Sequence, residues 1–501
     1  MTLFYITRGI FRKMRASRPH AILSVFVCFL IICAGIQAQE AQENSREYKP
    51  REQKLYFDIP LTIGEITLIN LAGNGAWRLW GPDKESAYFT LDSMATNFNP
   101  HVWTHEEGLG GDNFLTNQFF HAYAGGMYFA SARSNNLNFY YSMLFSTFGS
   151  LQWEILGESE SPATNDLITT AFGGITVGEI LYRLYVEFNK GGVGGKIGST
   201  LLSPTGRITD AIRGYGPDES PSKIKRSSLV IGFSCINAGF FEDNEKTGSW
   251  SRPGGFLFQE IIYGDPFTAR SKTPYDQFDL NLTLTFGFPI VYNFTVITDG
   301  YLASWLLEDN LTDQASNGIT LNFDHYVTNE GTFIDLNTGR DNHNFSAHSL
   351  DYSIKWRHVM SSSWEFSLKT HLGFTPWSVA NYNGGVDKDD YNLYLLGFNV
   401  KLFLELRQMK DNSPMKNGHA LAMSLCFYDG WKISKTPGPE SNTQYLHSKI
   451  AYSFPISDRF SIYLADTFMF LHIGLTDKSK EYFPDLTRWL NISQAGIKII
   501  F

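Results

Sequence analysis

The feature that most constrains the fold is an alternation of apolar and polar residues that recurs from residue 227 to Phe501. In the segment 277–288 every second residue is apolar and most of the residues between are polar. A period of two is typical of a β-strand whose two faces meet different surroundings, and it excludes an amphipathic helix. The apolar face of this segment consists of Phe278, Leu280, Leu282, Leu284, Phe286 and Phe288.

A secreted β-sandwich would show the same alternation, so other features must distinguish it from a membrane barrel. The longest apolar faces hold five or six residues, which indicates strands near the roughly 9–11 residues that a bilayer requires. The polar faces carry repeated charges, as a wet interior allows, and tight breaks (361–363, 457–459) alternate with longer ones (381–390, 482–487). We therefore predict a mainly β fold: a transmembrane antiparallel β-barrel of about 12 strands over residues 227–501. The predicted strands are 228–240, 256–265, 277–289, 291–304, 316–328, 345–360, 362–375, 390–408, 418–431, 443–456, 458–474 and 488–501.

The first residues are typical of an export signal. Five basic residues precede the first acid at Glu40, and sixteen uncharged, mostly apolar residues run from Ala21 to Ile36. We predict a signal peptide at 1–38, cleaved after Ala38. The alternative is a membrane anchor, although sixteen residues are short for a span of about 20. With the strand that ends at Phe501, the signal predicts residence in the outer membrane of a Gram-negative bacterium, with outer-membrane lipid and the barrel-assembly machinery as partners.

Charge and cysteines narrow the possible functions. Without the signal the chain has 36 basic against 50 acidic residues, a net charge of −14. Nucleic acid is therefore not expected as a partner, because phosphate binding needs clustered Lys and Arg. Cys235 and Cys426 could form one disulfide or remain two free thiols. No apolar run beyond the signal reaches 18 residues, so we predict no helical membrane span.

The amino-terminal half has a different pattern. Residues 39–110 are interpreted as a polar leader with a possible helix near 57–80. Within 111–215, apolar residues recur at steps of three and four and small residues such as Gly126 and Gly178 recur at every fourth position, which predicts closely packed helices. We expect three helices, 114–133, 137–158 and 166–188, that form a module plugging the lumen or capping its periplasmic mouth.

Several polar residues of this module occupy positions where the pattern favours apolar ones. His121, Glu154 and Glu158 are candidate catalytic residues for acid–base chemistry on a lipid or glycan. The alternative is a hydrogen-bonded network that holds the helices together. Neither a cofactor motif nor a metal-binding spacing accompanies these residues, so no cofactor and no metal are predicted. The candidate binding or network residues are Asn165, Asp166, Glu179 and Arg183.

A set of short motifs in residues 95–215 resembles an uncharacterised group of exported Bacteroidota-type proteins, known only as a domain of unknown function. The resemblance implies a helical module that precedes an outer-membrane strand region, and it implies no reaction, substrate or cofactor. One departure is Ala122, where the resemblance implies proline and hence a more kinked helix. The motifs are Asn97–Pro100, Asp112–Phe114, His121, Gly125–Tyr128, Gly149–Glu154, Gly157-Glu158, Asn165-Asp166 and Gly178-Glu179.

Three functions fit these observations. The first is a pore or transport component whose passage the helices control. The second is an outer-membrane enzyme that modifies lipid or glycan with the His/Glu cluster. The third is a structural scaffold of the envelope.

Overall fold

In the computed structural model the chain forms a closed antiparallel barrel of twelve strands, preceded by a module of several helices. The structure describes residues 54–80, 87–99, 101–103, 114, 116–265, 267, 271, 273–287, 290–328, 343–382, 391–409, 418–433, 440–476 and 484–501. The predicted signal peptide at 1–38 lies outside the described residues. The prediction of a twelve-stranded barrel with an amino-terminal helical module is confirmed.

Each strand pairs with its neighbours in sequence, and β1 pairs with β12 to close the barrel. The strands are β1 Ile224–Glu242, β2 Glu245–Tyr263, β3 Phe278–Gly287, β4 Ile290–Asp309, β5 Asp313–Thr328, β6 Phe345–Ser361, β7 Trp364–Tyr382, β8 Tyr391–Gln408, β9 Ala420–Lys432, β10 Ser441–Pro455, β11 Phe460–Leu475 and β12 Leu486–Ile500. We call the rim that contains the end of β12 the Phe501 end. The opposite rim, which carries connections 329–344, 383–390, 433–440 and 476–485, is the long-loop end. Two further connections of similar length, 264–277 and 409–419, lie at the Phe501 end. Cys235 and Cys426 are free thiols.

The helices come before the barrel in sequence. They are α1 Leu55–Trp80, α2 Leu91–Asn97, α3 His121–Ser134, α4 Phe139–Leu156, α5 Thr164–Asn189, α6 Val193–Leu202 and α7 Pro204–Arg213, and a π-helical turn, Thr116–Phe120, leads into α3. The helices α3 and α5 touch along their backbones: a methyl group at Gly125 would overlap the carbonyl oxygen of Thr170, and one at Gly174 would overlap the backbone of Gly125. The small residues therefore permit the close approach that their spacing predicts.

Contacts between distant strands identify the face of the barrel that points inward, because in a closed barrel such contacts cross the interior. Lys401 on β8 pairs with Asp324 on β5. Lys369 Nζ on β7 lies 2.7 Å from Asp279 Oδ2 on β3. These residues define the lumen face, and the residues that alternate with them point outward.

The helical module packs against the outer wall of the barrel. Phe323 and His325 flank the inward-facing Asp324 on β5 and therefore point outward. The His325 ring stacks on Phe114, with centroids 5.6 Å apart, and lies 5.8 Å from the ring of Phe119 in the turn that leads into α3. The helices therefore cover strand β5 from outside.

Helix α5 also packs against the outward residues of β3 and β7. The outward-facing residues of β3, among them Leu280 and Leu282, form one buried cluster with Ile180 and Leu184 of α5. On β7, the indole nitrogen of Trp377 donates a hydrogen bond of 3.2 Å to Thr169 Oγ1 of α5. A large part of the barrel wall is thus covered by protein.

This position corrects the expectation that the module plugs the lumen or caps its mouth. The described helices contact the outward residues of β3, β5 and β7, whereas the barrel's own side chains line the lumen. The sequence pattern could not reveal the difference. An outward strand face must be apolar whether it contacts hydrocarbon or an apolar helix, so the alternation is the same in both cases.

One helix bears on the prediction that no helix spans a membrane. By length and composition, 55–79 of α1 is apolar enough to cross one. The apolar run is interrupted by polar residues that contact the other helices. Glu65 accepts hydrogen bonds from Thr209 at 2.6 Å and Asn135 at 2.7 Å, and Asn70 donates to the backbone of Gly149 at 3.1 Å.

Large apolar side chains are exposed on both the barrel and the module. On strands β6 to β12 they alternate with the lumen-facing residues, as a surface in contact with lipid requires. On the barrel they include Leu350, Ile354, Leu372, Phe374, Phe398, Val400, Met423, Leu425, Ile450, Ile462, Leu464 and Ile497. On α1 they include Ile59, Ile63, Leu68 and Leu71.

Candidate functional site

The lumen contains a band of paired charges near its middle. Asp279 and Asp299 face Lys369, whose Nζ lies 2.7 and 2.9 Å from their carboxylate oxygens. Lys355 Nζ lies 3.4 Å from Asp279 Oδ2. Pairing offsets much of the cost of burying these charges. The band holds β3 and β4 to β6 and β7 through the interior of the barrel.

A second part of the band links β5, β6 and β8. Lys401 pairs with Asp324 and lies 3.8 Å from Asp351. Tyr428 donates a hydrogen bond of 2.6 Å to Asp324, and Asn322 donates one of 2.7 Å to Asp351. These carboxylates are almost completely buried, and each lies near Lys401 and accepts a hydrogen bond from a neutral donor. Asp351 Oδ1 has no hydrogen-bond partner among the described residues, so this half of the band is a polar network that is satisfied only in part.

Aromatic rings meet across the lumen between this band and the long-loop end. Phe345 on β6 stacks on Tyr445 on β10, with centroids 4.5 Å apart and planes inclined by 6°. Tyr326 lies 4.8 Å from Tyr445, and Tyr428 lies 5.1 Å from Phe345. We call these four residues, which are at most 2% exposed, the aromatic layer. Because they come from β5, β6, β9 and β10, they meet across the interior.

Towards the Phe501 end the lumen contains a cavity of about 560 Å³. It extends from the charged band, at Asp279 and Lys369, to the rim at Arg407 and Phe501. Its volume lies within the range of small-molecule sites, about 300–1,000 Å³. The lumen is therefore a charged vestibule on one side of the aromatic layer.

Three of the residues predicted from sequence lie together where α3 and α5 begin. His121 Nε2 is 3.7 Å from Asp166 Oδ2, and His121 Nδ1 is 3.2 Å from Thr170 Oγ1. Asn165 and Asn117 each donate to Asp166 Oδ1, at 2.7 and 2.8 Å. The Asp166 carboxylate thus joins α5 to the turn that leads into α3.

Glu154 and Glu158 form a neighbouring contact. Glu154 is fully buried, lies beside the carboxyl group of Glu158, and accepts a hydrogen bond of 2.8 Å from the backbone of Ala163. Trp153 Nε1 donates to Glu158 Oε2 at 3.1 Å. No group of three or more His, Cys, Asp or Glu suited to a metal occurs among the residues that the structure describes. A catalytic role for His121, Glu154 and Glu158 stays a prediction.

Glu179 and Arg183, four residues apart on α5, form an ion pair at 2.8 Å. Glu179 also forms an ion pair with Arg133 of α3 at 2.7 Å. Arg183 forms a second ion pair, at 2.9 Å, with Asp276 in the connection between β2 and β3. Burial acts to raise the pKa of Asp276, but the charges of Arg183 and Lys223 outweigh it and hold this pKa below its ordinary value of 3.8. This contact therefore stabilises the docked module above about pH 4 and is lost as the pH falls further.

We expect Glu179→Gln to destabilise the module strongly. The substitution keeps the shape but leaves the guanidinium groups of Arg133 and Arg183 close together without their shared carboxylate. Breaking a buried ion pair costs about 3–5 kcal/mol. Thermal unfolding followed by far-UV circular dichroism would measure this loss. Glu219→Gln, at an exposed position, is the control, and equal melting temperatures for the two variants would contradict a stabilising role.

Sequence reasoning missed the inward-facing aromatic residues and the free polar groups of the vestibule. The alternation placed Lys401 and Glu405 on a polar face, which was a valid signal for a charged lumen. Tyr326 and Phe345 were not singled out, because the identity of the face that points inward is decided only by the cross-barrel contacts of the closed structure.

This architecture defines a class: a twelve-stranded barrel with a charged, partly closed lumen and helices on its outer wall. A family model described as a domain of unknown function (DUF3943) matches residues 108–205, which begin before α3 and extend into α7. The match is consistent with an uncharacterised family but covers a minor part of the chain. No curated protein matches the sequence.

Solved structures with some likeness to this chain are outer-membrane channels. An outer membrane channel from Pseudomonas putida F1 shares 10% identity at a TM-score of 0.27, covering 56% of this chain and 97% of the channel. A mutant of the TodX monoaromatic hydrocarbon channel shares 7% identity at a TM-score of 0.24, covering 56% and 91%. The KdgM porin shares 10% identity at a TM-score of 0.20, covering 53% and 98%. These likenesses are too distant to indicate a solute, so function is inferred from the geometry of this chain.

Proposed function

We propose that this protein is an outer-membrane pore or transport component whose passage is controlled inside the lumen. The observation that carries the proposal is a vestibule of about 560 Å³ whose lining includes His447, a residue whose ring centroid lies 5.2 Å from that of Tyr326 in the aromatic layer. An aqueous vestibule admits a solute from one side, and a ring-filled constriction prevents free flow by excluding water. Passage then requires these side chains to separate.

The location belongs to the same proposal. Exposed apolar residues alternate with lumen residues on β6 to β12, which is the arrangement of a barrel in contact with lipid. Longer connections usually face the cell exterior, and four of the six longer ones lie at the long-loop end, so we assign this end to the outside and the vestibule to the periplasm. Export by a cleaved signal, assembly through the strand ending at Phe501 and kinship with exported Bacteroidota-type proteins complete the proposal.

In this proposal the helical module does not act as a plug. Its helices cover the outward residues of β3, β5 and β7, so they replace lipid along that part of the wall. The exposed apolar residues of α1, such as Leu68 and Leu71, would face hydrocarbon. A helix that covers the wall stabilises the barrel without occupying the route of the solute.

Electrical recording of the purified full-length protein in planar bilayers tests this function. We expect discrete current steps separated by long closed periods, because a side-chain layer, rather than a separate domain, closes the lumen. Folding is checked independently by the shift in gel mobility on heating. The recording is made both with the aromatic layer intact and with its side chains truncated to alanine. If neither folded form carries current above that of lipid alone, the proposed function is wrong.

A further inference from the structure

The vestibule is more basic than the protein that contains it. Its lining includes eight Lys or Arg residues and five Asp or Glu residues. The whole chain, in contrast, carries a net charge of −9. Charges that line a concave, low-dielectric surface raise the local concentration of ions of opposite sign. The vestibule is therefore biased towards anions.

The excess is concentrated on one part of the wall. Arg226 pairs with Glu260 at 2.7 Å and with Glu405 at 3.2 Å. Each of these two carboxylates also pairs with a second cation: Lys498 lies 3.8 Å from Glu260, and Arg407 lies 2.6 Å from Glu405. Three cations therefore share two carboxylates before any other basic residue is considered.

Lys449 adds a fourth cation to this wall. Its ammonium lies 3.6 Å from the centre of the Phe258 ring and 5.7 Å from that of Tyr463. Among the residues that the structure describes, no carboxylate oxygen lies within ion-pair distance of it. The aromatic faces hold the ammonium in place by cation–π attraction and leave its hydrogens free to bind an acceptor.

Other polar atoms near Lys449 lack hydrogen-bond partners among the described residues. Gln494 is 5% exposed, lines the cavity, and has neither side-chain atom bonded. Tyr463 and Arg226 line the same cavity, and the Tyr463 hydroxyl and Arg226 Nε are buried and likewise without a hydrogen bond. Buried polar groups normally find partners, so several unpaired groups on residues that line one cavity indicate a polar ligand.

The residues of this wall supply donors of several kinds. Ala451 of β10 pairs in register with Ala465 of β11, and Ala465 pairs with Gln494 of β12, so Lys449 and Gln494 lie on the same part of the lumen face. Lys449 and Lys498 carry ammonium hydrogens, Arg226 guanidinium hydrogens and Gln494 amide hydrogens, and an oxyanion accepts hydrogen bonds from each kind.

We propose that this wall of the vestibule binds a small organic solute through a carboxylate or phosphate group, held by Lys449, Lys498, Arg226 and Gln494. The inference rests on the proposed function, because it names the class of solute that enters the vestibule. The volume of the cavity suits a solute the size of a monosaccharide derivative.

Titration calorimetry of the full-length protein in detergent tests the site with three probes of similar size: glucuronate, glucose 6-phosphate and glucose. We expect at least one of the anions to bind and glucose not to bind. Comparison of the two anions shows which oxyanion the site takes. Lys449→Met and Gln494→Leu should each weaken binding on the order of tenfold or more, because each removes a direct donor to the anion.

Two further variants serve as controls. Lys196→Met removes a cation from the exposed surface of α6 and should leave the affinity unchanged. Lys449→Arg keeps the charge and should retain most of the binding. If glucose binds as tightly as the anions, or if folded Lys449→Met and Lys498→Met bind like the unaltered protein, the proposal is overturned.

Bilayer recording under a KCl gradient separates this inference from the proposed function. Anion binding with no current at all would contradict the pore and leave the site in place. Current that is selective for cations, with no anion bound in calorimetry, would contradict the site and leave the pore in place. Anion-selective current that loses its selectivity in Lys449→Met would support both.

Discussion

Replacing Phe345 and Tyr445 together by alanine is expected to open the lumen and raise the mean conductance of the protein on the order of tenfold or more. The two rings stack at 4.5 Å and come from β6 and β10, on different sides of the interior. Their removal leaves Tyr326 and Tyr428 without their closest partners in the aromatic layer. Water can then fill the constriction and connect the vestibule with the long-loop end.

The substitution also has a cost in stability. Truncating a buried aromatic residue to alanine costs about 3–5 kcal/mol, which a barrel with a complete hydrogen-bonded wall should survive. The matched controls are Phe374→Ala and Tyr352→Ala, since these rings are of the same types but lie exposed on the outer face. They should leave the conductance unchanged.

Planar-bilayer recording with all variants, after confirmation of folding by heat-modifiable gel mobility, decides the matter. An increase in current only in the lumen variants would identify the aromatic layer as the gate. If the lumen variants and the outer-face controls carry the same current, closure must lie elsewhere, and the layer is only a packed core.

The barrel was predictable because its two faces meet different surroundings along nearly every strand. Predicted and observed bounds agree closely for strands such as β6 and β8, where apolar and charged residues alternate strictly. The largest difference is β2, which begins at Glu245 rather than at 256. Its first half contains Gly248, Pro253 and Gly254, residues that usually mark a turn, but the pairing with β1 continues through them.

The arrangement of the candidate site was less predictable, for a physical reason. Local patterns report which residues share a face, but the identity of that face depends on contacts between strands far apart in sequence. Tyr326 and Tyr445 are separated by more than a hundred residues and meet only because the sheet closes. The pairing of Glu179 with Arg183, in contrast, follows from four-residue spacing on a helix, although their contacts with Arg133 and Asp276 do not.

The position of the module could not be predicted from the sequence, for a similar reason. An apolar outward face on β3 is equally compatible with lipid and with a helix, and the observed contacts with Ile180 and Leu184 select the helix. The packing that holds these helices together can be tested through the glycines where their backbones meet.

Introducing leucine at Gly125 should separate α3 from α5 and loosen the module. Even a methyl group there would overlap the backbone carbonyl of Thr170, which cannot move without displacing its helix. Overpacking of a core typically costs about 1–3 kcal/mol, and overlap with a backbone atom places this variant at or above the upper limit. Gly64→Leu is the matched control, because no atom lies within 4 Å of the added Cβ at that exposed position of α1.

Limited proteolysis, with thermal unfolding of the helical signal as a second measure, would record the effect. We expect rapid cleavage within α3 to α5 in Gly125→Leu, with the barrel remaining resistant, and cleavage like that of the unaltered protein in Gly64→Leu. Bilayer recording of the same variants then tests whether the module controls passage. Because the helices lie on the outer wall, Gly125→Leu should not show the large conductance of an unplugged pore. A conductance as large as that of the aromatic-layer variant would show that the helices control passage through the lumen.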